Sequence, residues 1–426
     1  MKPAPSALPP VSETSEARPR LVLGMLLLVY VFNFLDRQIL SILAVPIQQD
    51  LALSDTQMGL LGGLAFALLY STLAVPLAWI ADRSSRSWVI AASLAVWSLF
   101  TAACGLAQGF WHIFLARLGV GVGEAGGVAP SYALIADHFP SHQRARALSV
   151  YSLGIPLGTA LGVLAGAYIA ANVNWRIAFF VVGLAGVLLA PVFKYIVRDP
   201  APPTAEADAT RPRFGAVVRH LARRPSFWLM AFGAASSSMV GYGLAFWLPS
   251  LLQRSFGLDL IETSHFIGSI VLVSGVAGVL AGGWLADWMG PRDRAFYTWV
   301  PALAYVVCVP LFAAGINAGS VAIAYVLFLL PQGLSYVWLG PVLSAAQHLV
   351  APAERATASA LFLLINNLIG LGGGIYAMGA LSDALAPHYG NEALRYAMIY
   401  ALAFYGVAAL LMALAGPRLR RDWVEG

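Results

Sequence analysis

The chain has 426 residues, of which 59% are hydrophobic and 11% charged, where a soluble domain carries about 25% charged residues. A water-soluble fold could not bury that much apolar surface, so soluble architectures are excluded. The net charge of +5 does not indicate a nucleic-acid partner, because the basic residues sit in short loops between apolar stretches, where membrane topology explains them.

The first element in chain order is a tail, 1–20 (MKPAPSALPPVSETSEARPR), rich in proline and serine. It lacks the apolar centre of a cleavable signal and reads as disordered. Twelve apolar stretches follow, each near the roughly 20 residues that a bilayer crossing requires. Six of them (21–48, 56–81, 88–107, 110–138, 147–171 and 175–197) make a first bundle spanning 21–198. Six more (227–252, 264–288, 296–314, 320–348, 357–384 and 394–415) make a second, 226–416, followed by a short tail, 417–426. The expected fold class is an all-α membrane protein of twelve transmembrane helices in two six-helix bundles.

Between the bundles, 199–225 reads as a linker, proline-rich at first and then RFGAVVRHLARRP. Phe214, Val217, Val218 and Leu221 follow helical spacing with arginines opposite. The segment is either an amphipathic helix on the inner leaflet or a solvated basic loop.

Loop charge is uneven. One side receives Lys2, Arg18, Arg20, Arg83, Arg86, Arg144, Arg146, Lys194, Arg198, the central basic stretch, Arg292, Arg294, Arg355, Arg418, Arg420 and Arg421; the other receives Arg176, Arg254 and Arg395. The positive-inside rule then puts both termini and the linker in the cytoplasm, the membrane being a plasma (bacterial inner) membrane.

Ionisable residues at bilayer depth are costly and usually functional. Asp36 and Arg37 in the first span and Arg117 and Glu124 in the fourth stand out. The alternative is an ion pair that only packs helices. Arg117 and Glu124 share a helix face about 10 Å apart, which keeps them from pairing directly. Register along the two antiparallel spans places Asp36 near Arg117 and turns Arg37 toward Glu124. Burial opposes a charge on Glu124 and a nearby arginine favours it, so a movement of the arginine would switch its protonation. Glu124 is therefore the candidate proton carrier.

The sequence also repeats itself. AWIADRSSR (78–86) ends the second span and GWLADWMGPR (283–292) ends the eighth, while PSHQRARA (140–147) and PAERATA (352–358) follow the fourth and tenth. Both matches lie at offsets near 205–211 residues, as two related halves require. These motifs resemble the loop signature G-x-x-x-D-x-x-G-x-R/K of the major facilitator superfamily. Gly283, Asp287, Gly290 and Arg292 fit it; Ala78 and Ser85 depart from it. The resemblance implies alternating access, with Asp82, Arg83, Arg86, Arg144, Asp287, Arg292 and Arg355 as a conformational latch. A carboxylate opposes its own helix's C-terminal dipole and suits the N-terminus of a neighbour.

NFLDRQILS (33–41) with ARLGVGVGEAGGVAPS (116–131) is similar to the spinster-type transporters, a group associated with single-chain lipids. Organic-anion/proton symporters share a similar first-span motif. GIPLGTALG (154–162) partly resembles an antiporter signature, although a proline kink explains it as well. Glycines 119, 121, 123, 126 and 127 allow close helix approach. The resemblance implies a substrate site near the midplane lined by the first, fourth, seventh and tenth spans. Its polar and aromatic candidates are Tyr30, Asn33, Tyr242, Trp247, Gln332, Tyr336 and Trp338, with Asn366 and Asn367 in the eleventh span.

The expected function is proton-coupled secondary transport of a small amphipathic, lysolipid- or sphingoid-like or anionic solute by a monomer in the bilayer, with no cofactor and no metal. An organic-anion symporter is the nearest alternative, and a receptor without flux is a rival of another class. A membrane enzyme is not expected: no Gly-x-Ser-x-Gly elbow or cofactor loop occurs. His112, His265 and His348 are isolated, and Cys104 and Cys308 lie in apolar runs.

Overall fold

The computed structural model describes residues 14–199, 214–351 and 354–424, and among them every regular element is a helix. Ten apolar helical stretches are long enough to cross a bilayer. The last of these, Thr357–Asp422, folds back at Gly390, which adopts a positive φ of 54°. A further apolar stretch, 110–138, is interrupted and so escapes a criterion based on unbroken length. Together they make twelve crossings.

Several spans expected to be continuous are broken. The second divides into Asp55–Gly62 and Leu64–Arg83, the fourth into Phe110–Glu124 and Val128–His138, the fifth into Ser141–Ser152 and Gly154–Asn172, and the tenth into Val321–Leu334 and Leu339–Gln347. The eighth and eleventh contain π-helical turns at Val271–Gly275 and Asn366–Gly373. These interruptions repeat between the halves. Gly126 and Tyr336, 210 positions apart, both donate to the carbonyl three residues back rather than four, at 3.3 and 3.1 Å. Broken helices free backbone groups, which is tolerated in a membrane where the segment is buried in protein or lines a water-filled path.

The hydrogen bonds and ion pairs that join the halves gather, among the described residues, at the end opposite the basic loops. Asp55, at the start of the second span, accepts from Arg254 at 2.8 and 3.0 Å, from Ser382 at 2.7 Å and from Gln48 at 2.8 Å. Asp383 in the eleventh span accepts from the backbone N–H groups of Asp55 and Thr56, at 3.2 and 2.8 Å. A carboxylate of one half thus caps the N-terminus of a helix in the other, satisfying two donors that the helix itself leaves orphaned. Ser41 adds a bond to the Phe246 carbonyl at 2.9 Å, and the Tyr168 hydroxyl meets His265 Nε2 at 2.9 Å.

The linker helix, Phe214–Ala222, corrects one expectation. Val217 and Leu221 are fully buried, so its apolar face packs on the protein and its arginine face turns outward. His220 pairs with Glu354, and Arg224 with Asp422. The tail then runs under the second half: the Val424 N–H donates to the His348 carbonyl at 2.7 Å, and Trp423 stacks on His348.

Candidate functional site

The first-span helix Thr14–Ile42 carries Asp36 and Arg37 side by side, so their side chains leave it about 100° apart. Each takes a different partner on the fourth span. Arg37 donates through Nε to Glu124 Oε2 at 2.8 Å, with Nη2 at 2.7 Å from the same oxygen. Asp36 accepts from Thr101 Oγ1 at 2.6 Å, and its other oxygen lies 3.6 Å from Arg117 Nη1. These are the pairings that helix register gives. One pair is tight and the other loose, because 3.6 Å is beyond a hydrogen bond.

Burial makes both pairs unusual. The side chain of Glu124 is fully buried, those of Asp36 and Arg117 nearly so, and only that of Arg37 reaches 12% exposure. The Phe66 ring lies between the two guanidiniums, 4.7 Å from that of Arg37 and 5.3 Å from that of Arg117. Tyr70 and Phe34 also face Arg37, at 4.6 and 5.1 Å. A desolvated cation over an aromatic face gains roughly 2 kcal/mol, so the rings supply part of the stabilisation that water would otherwise give.

Glycine brings the fourth span this close. A Cβ at Gly121 would stand 2.5 Å from the Phe66 carbonyl oxygen, and one at Gly123 would stand 2.5 Å from the Trp97 nitrogen. The glycine run therefore packs helices.

The expected substrate contacts divide. Tyr30 stacks on Tyr151 at 4.3 Å, with Tyr132 edge-on to the same ring. Asn33 is buried, and its Oδ1 has no hydrogen-bond partner among the described residues. Tyr242 of the second half lies within electrostatic reach of Arg37 and Tyr70, and Tyr336 within reach of Tyr242. Gln332 and Asn367 are half-buried. Trp247 is a correction: it is fully buried, and its indole N–H donates to the Ile375 carbonyl at 3.0 Å, so it braces the seventh span against the eleventh. Asn366 is likewise engaged in packing, accepting from Ser238 at 2.8 Å, and Trp338 is buried where the tenth span breaks.

The side chains of Asp82 and Asp287 lie outside the described residues. Of their expected companions, Arg86 pairs with Asp137, Arg83 lies over Trp79 and Arg292 over Trp288. Arg144 donates to the Phe139 carbonyl at 3.0 Å, while Arg355 keeps Nε and one Nη buried without a hydrogen bond among the described residues.

Sequence reasoning misses Thr101, Phe66 and Tyr70, which are unremarkable residues of apolar helices until packing brings them to the charges. It also misses the Asp55–Arg254–Asp383 cluster. Ser54 and Gln57 do form the capping box that S-x-x-Q spells, so Asp55 reads from sequence as ordinary helix-start chemistry.

Twelve crossings in two related halves, with the fully buried charged residues among the described ones all in the first, define a polytopic transporter. The Major Facilitator Superfamily model matches residues 26–374, and the chain belongs to that family. It is spinster-like within it. It is 28% identical to protein spinster homolog 1 of Homo sapiens over 89% of this chain and 76% of that one. It is 34% identical to an MFS-type efflux pump of Mycolicibacterium smegmatis over 94% of both chains. Among solved structures it superimposes on a bacterial homolog of the human lysosomal transporter Spinster, inward-facing and unoccupied, with a TM-score of 0.86 and 28% identity over 96% of this chain and 99% of that one. It is a transporter, not an enzyme.

Proposed function

We propose that the chain is a proton-coupled secondary transporter of an amphipathic, anionic, lipid-like solute, working by alternating access. The observation that carries this is the pair of buried arginine–carboxylate contacts, one tight and one loose, of which Arg37 also lies within reach of Tyr242 in the second half. Burying four ionisable groups costs more than an apolar contact would, so a role in packing alone is a poor account of them. Glu124 Oε1 has no hydrogen-bond partner among the described residues, and it is the oxygen on which a proton can be carried. When Arg37 turns to a substrate anion, Glu124 loses its counter-charge and takes that proton up.

Arg37, with Tyr30, Tyr70 and Asn33, suits an anionic headgroup, while Tyr242 and Tyr336 offer rings to an apolar tail. A small organic acid would need the headgroup site alone, and that is the second reading. Asp82, Asp287 and the arginines of their loops would hold the basic end closed in the alternate state. Alternation is supported by the gathering of contacts between the halves at the opposite end and by the likeness to an inward-facing relative. The uneven loop charge supports a cytoplasmic basic end with both termini on that side, and the membrane in this reading is a plasma (bacterial inner) membrane.

The test is uptake of labelled lysolipid and of an aromatic acid into proteoliposomes under an imposed pH gradient. Lysolipid flux that follows the gradient in the wild type and no longer does so in Glu124→Gln supports the proposal. Flux of either solute that ignores pH in both proteins overturns the coupling, and flux of the acid alone favours the second reading.

A further inference from the structure

An open groove of about 420 Å³ lies on the outer wall of the second half, between the linker helix, the start of the seventh span and the end of the twelfth. Ala222 and Pro225 line it at the linker, Trp228, Phe232 and Leu411 form its apolar wall, and Arg418 closes it. Trp228 and Phe232 stack at 5.9 Å. Leu411 and Arg418 share one helix seven residues apart, about 10 Å along its axis. The groove is thus graded, with rings and aliphatic carbon at one end and a guanidinium at the other, over the depth of a headgroup–acyl boundary.

Its charge is one-sided. Among the described residues Arg418 donates to the Leu414 carbonyl at 2.8 Å, and a guanidinium has five N–H donors in all. Arg219 on the linker helix and Arg223 on the turn just after it are exposed, as is Arg421, three residues beyond Arg418. Among the described residues, Glu354 is engaged by His220, Asp422 by Arg224 and Ser226, and Asp293 by Arg420. The rim therefore presents positive charge at the end of a membrane-spanning bundle, beside an apolar wall that ends in tryptophan, the residue enriched at bilayer interfaces.

We infer that this groove is a binding site for an anionic glycerophospholipid of the surrounding bilayer. The phosphate sits on Arg418, with Arg219, Arg223 and Arg421 adding long-range attraction, and one acyl chain lies along Trp228, Phe232 and Leu411. The site is on the outer wall and shares no residue with the Arg37–Glu124 centre, so the bound lipid is a resident of the protein's surface and not its cargo.

The test uses the full-length chain in detergent, titrated with phosphatidylglycerol or with phosphatidylcholine of the same acyl chains, and reads the unfolding midpoint. Phosphatidylglycerol at about 100 times its dissociation constant is expected to raise the midpoint by about 3 °C and phosphatidylcholine by much less. Arg418→Ala should abolish the difference between the two lipids, Arg418→Lys should keep part of it, and Arg37→Ala should leave it unchanged. Equal responses to both lipids in the wild type overturn the inference, as does a difference that survives Arg418→Ala but disappears in Arg37→Ala. Quenching by phosphatidylglycerol with brominated chains gives a second readout, which Trp228→Phe should weaken; unchanged quenching places the lipid elsewhere and also overturns it.

Discussion

At the scale of single residues, the energetic weight falls on Arg37 and Glu124. Their contact at 2.7–2.8 Å is almost wholly buried, so each charge depends on the other. Removing one partner of a buried pair typically costs roughly 3–5 kcal/mol, because the survivor keeps an uncompensated charge, whereas removing both can be nearly neutral. Arg37→Ala should therefore lower the unfolding midpoint more than the double variant Arg37→Ala/Glu124→Gln does. Thermal unfolding of the four proteins of this cycle measures the coupling; strict additivity would mean that the pair contributes no coupling. The four charges are legible in the sequence because a charge in an apolar run stands out against its neighbours. Their partners Thr101, Phe66 and Tyr70 are not, since nothing but packing distinguishes them from other threonines and rings in the same helices.

At the scale of elements, the twelve spans are readable from apolar run length, but their breaks are not. Run length measures transfer into the bilayer and is blind to whether a carbonyl is bonded three or four residues on. The turn between the second and third spans is a case where backbone and side chains decide together. Asp199, just past the sixth span, accepts from the Ser87 N–H at 2.8 Å and from the hydroxyls of Ser87, at 2.7 Å, and Ser85. Burial works against its charge, but these bonds, with Lys194 nearby, outweigh it and hold the carboxyl below its usual range. A carboxyl held low stabilises the fold above its unfolded-state value, near pH 3.9, and loses that contribution as the pH falls through the folded-state value. Asp199→Ala should thus unfold more readily than the wild type at pH 7, and the gap should narrow on acidification below about pH 4. A gap that stays constant from pH 7 to pH 3 would show that Asp199 acts through something other than its charge.

At the scale of the whole molecule, the internal repeat makes the two-half architecture legible, because a motif recurring at nearly one offset constrains topology directly. How the halves meet is not legible, since contacts between them join residues from 97 to 328 apart with no shared pattern. The three arginines at the end opposite the basic loops illustrate this. Read from the sequence they are exceptions to the charge asymmetry; in the fold Arg176 pairs with Asp50, Arg254 with Asp55 and Arg395 with Glu392, so each is matched by a carboxylate. Of the three, Arg254 alone ties one half to the other, through Asp55 and Gln48. Backbone contact reinforces it, since a Cβ on Gly379 would stand 2.3 Å from the Asp55 carbonyl oxygen and one on Gly63 2.7 Å from that of Gly372. Two unrelated changes should therefore open the same end: Arg254→Ala by removing charge-assisted hydrogen bonds and Gly379→Ala by wedging apart backbones that must touch. Spin labels at Gln49 and Asn391, which line a shared pocket from opposite halves, should report a population at longer distance in both variants. Gly406→Ala, where a Cβ meets nothing within 4 Å, should keep the wild-type distribution. If neither change lengthens the distance, the contacts at this end follow closure and do not hold it.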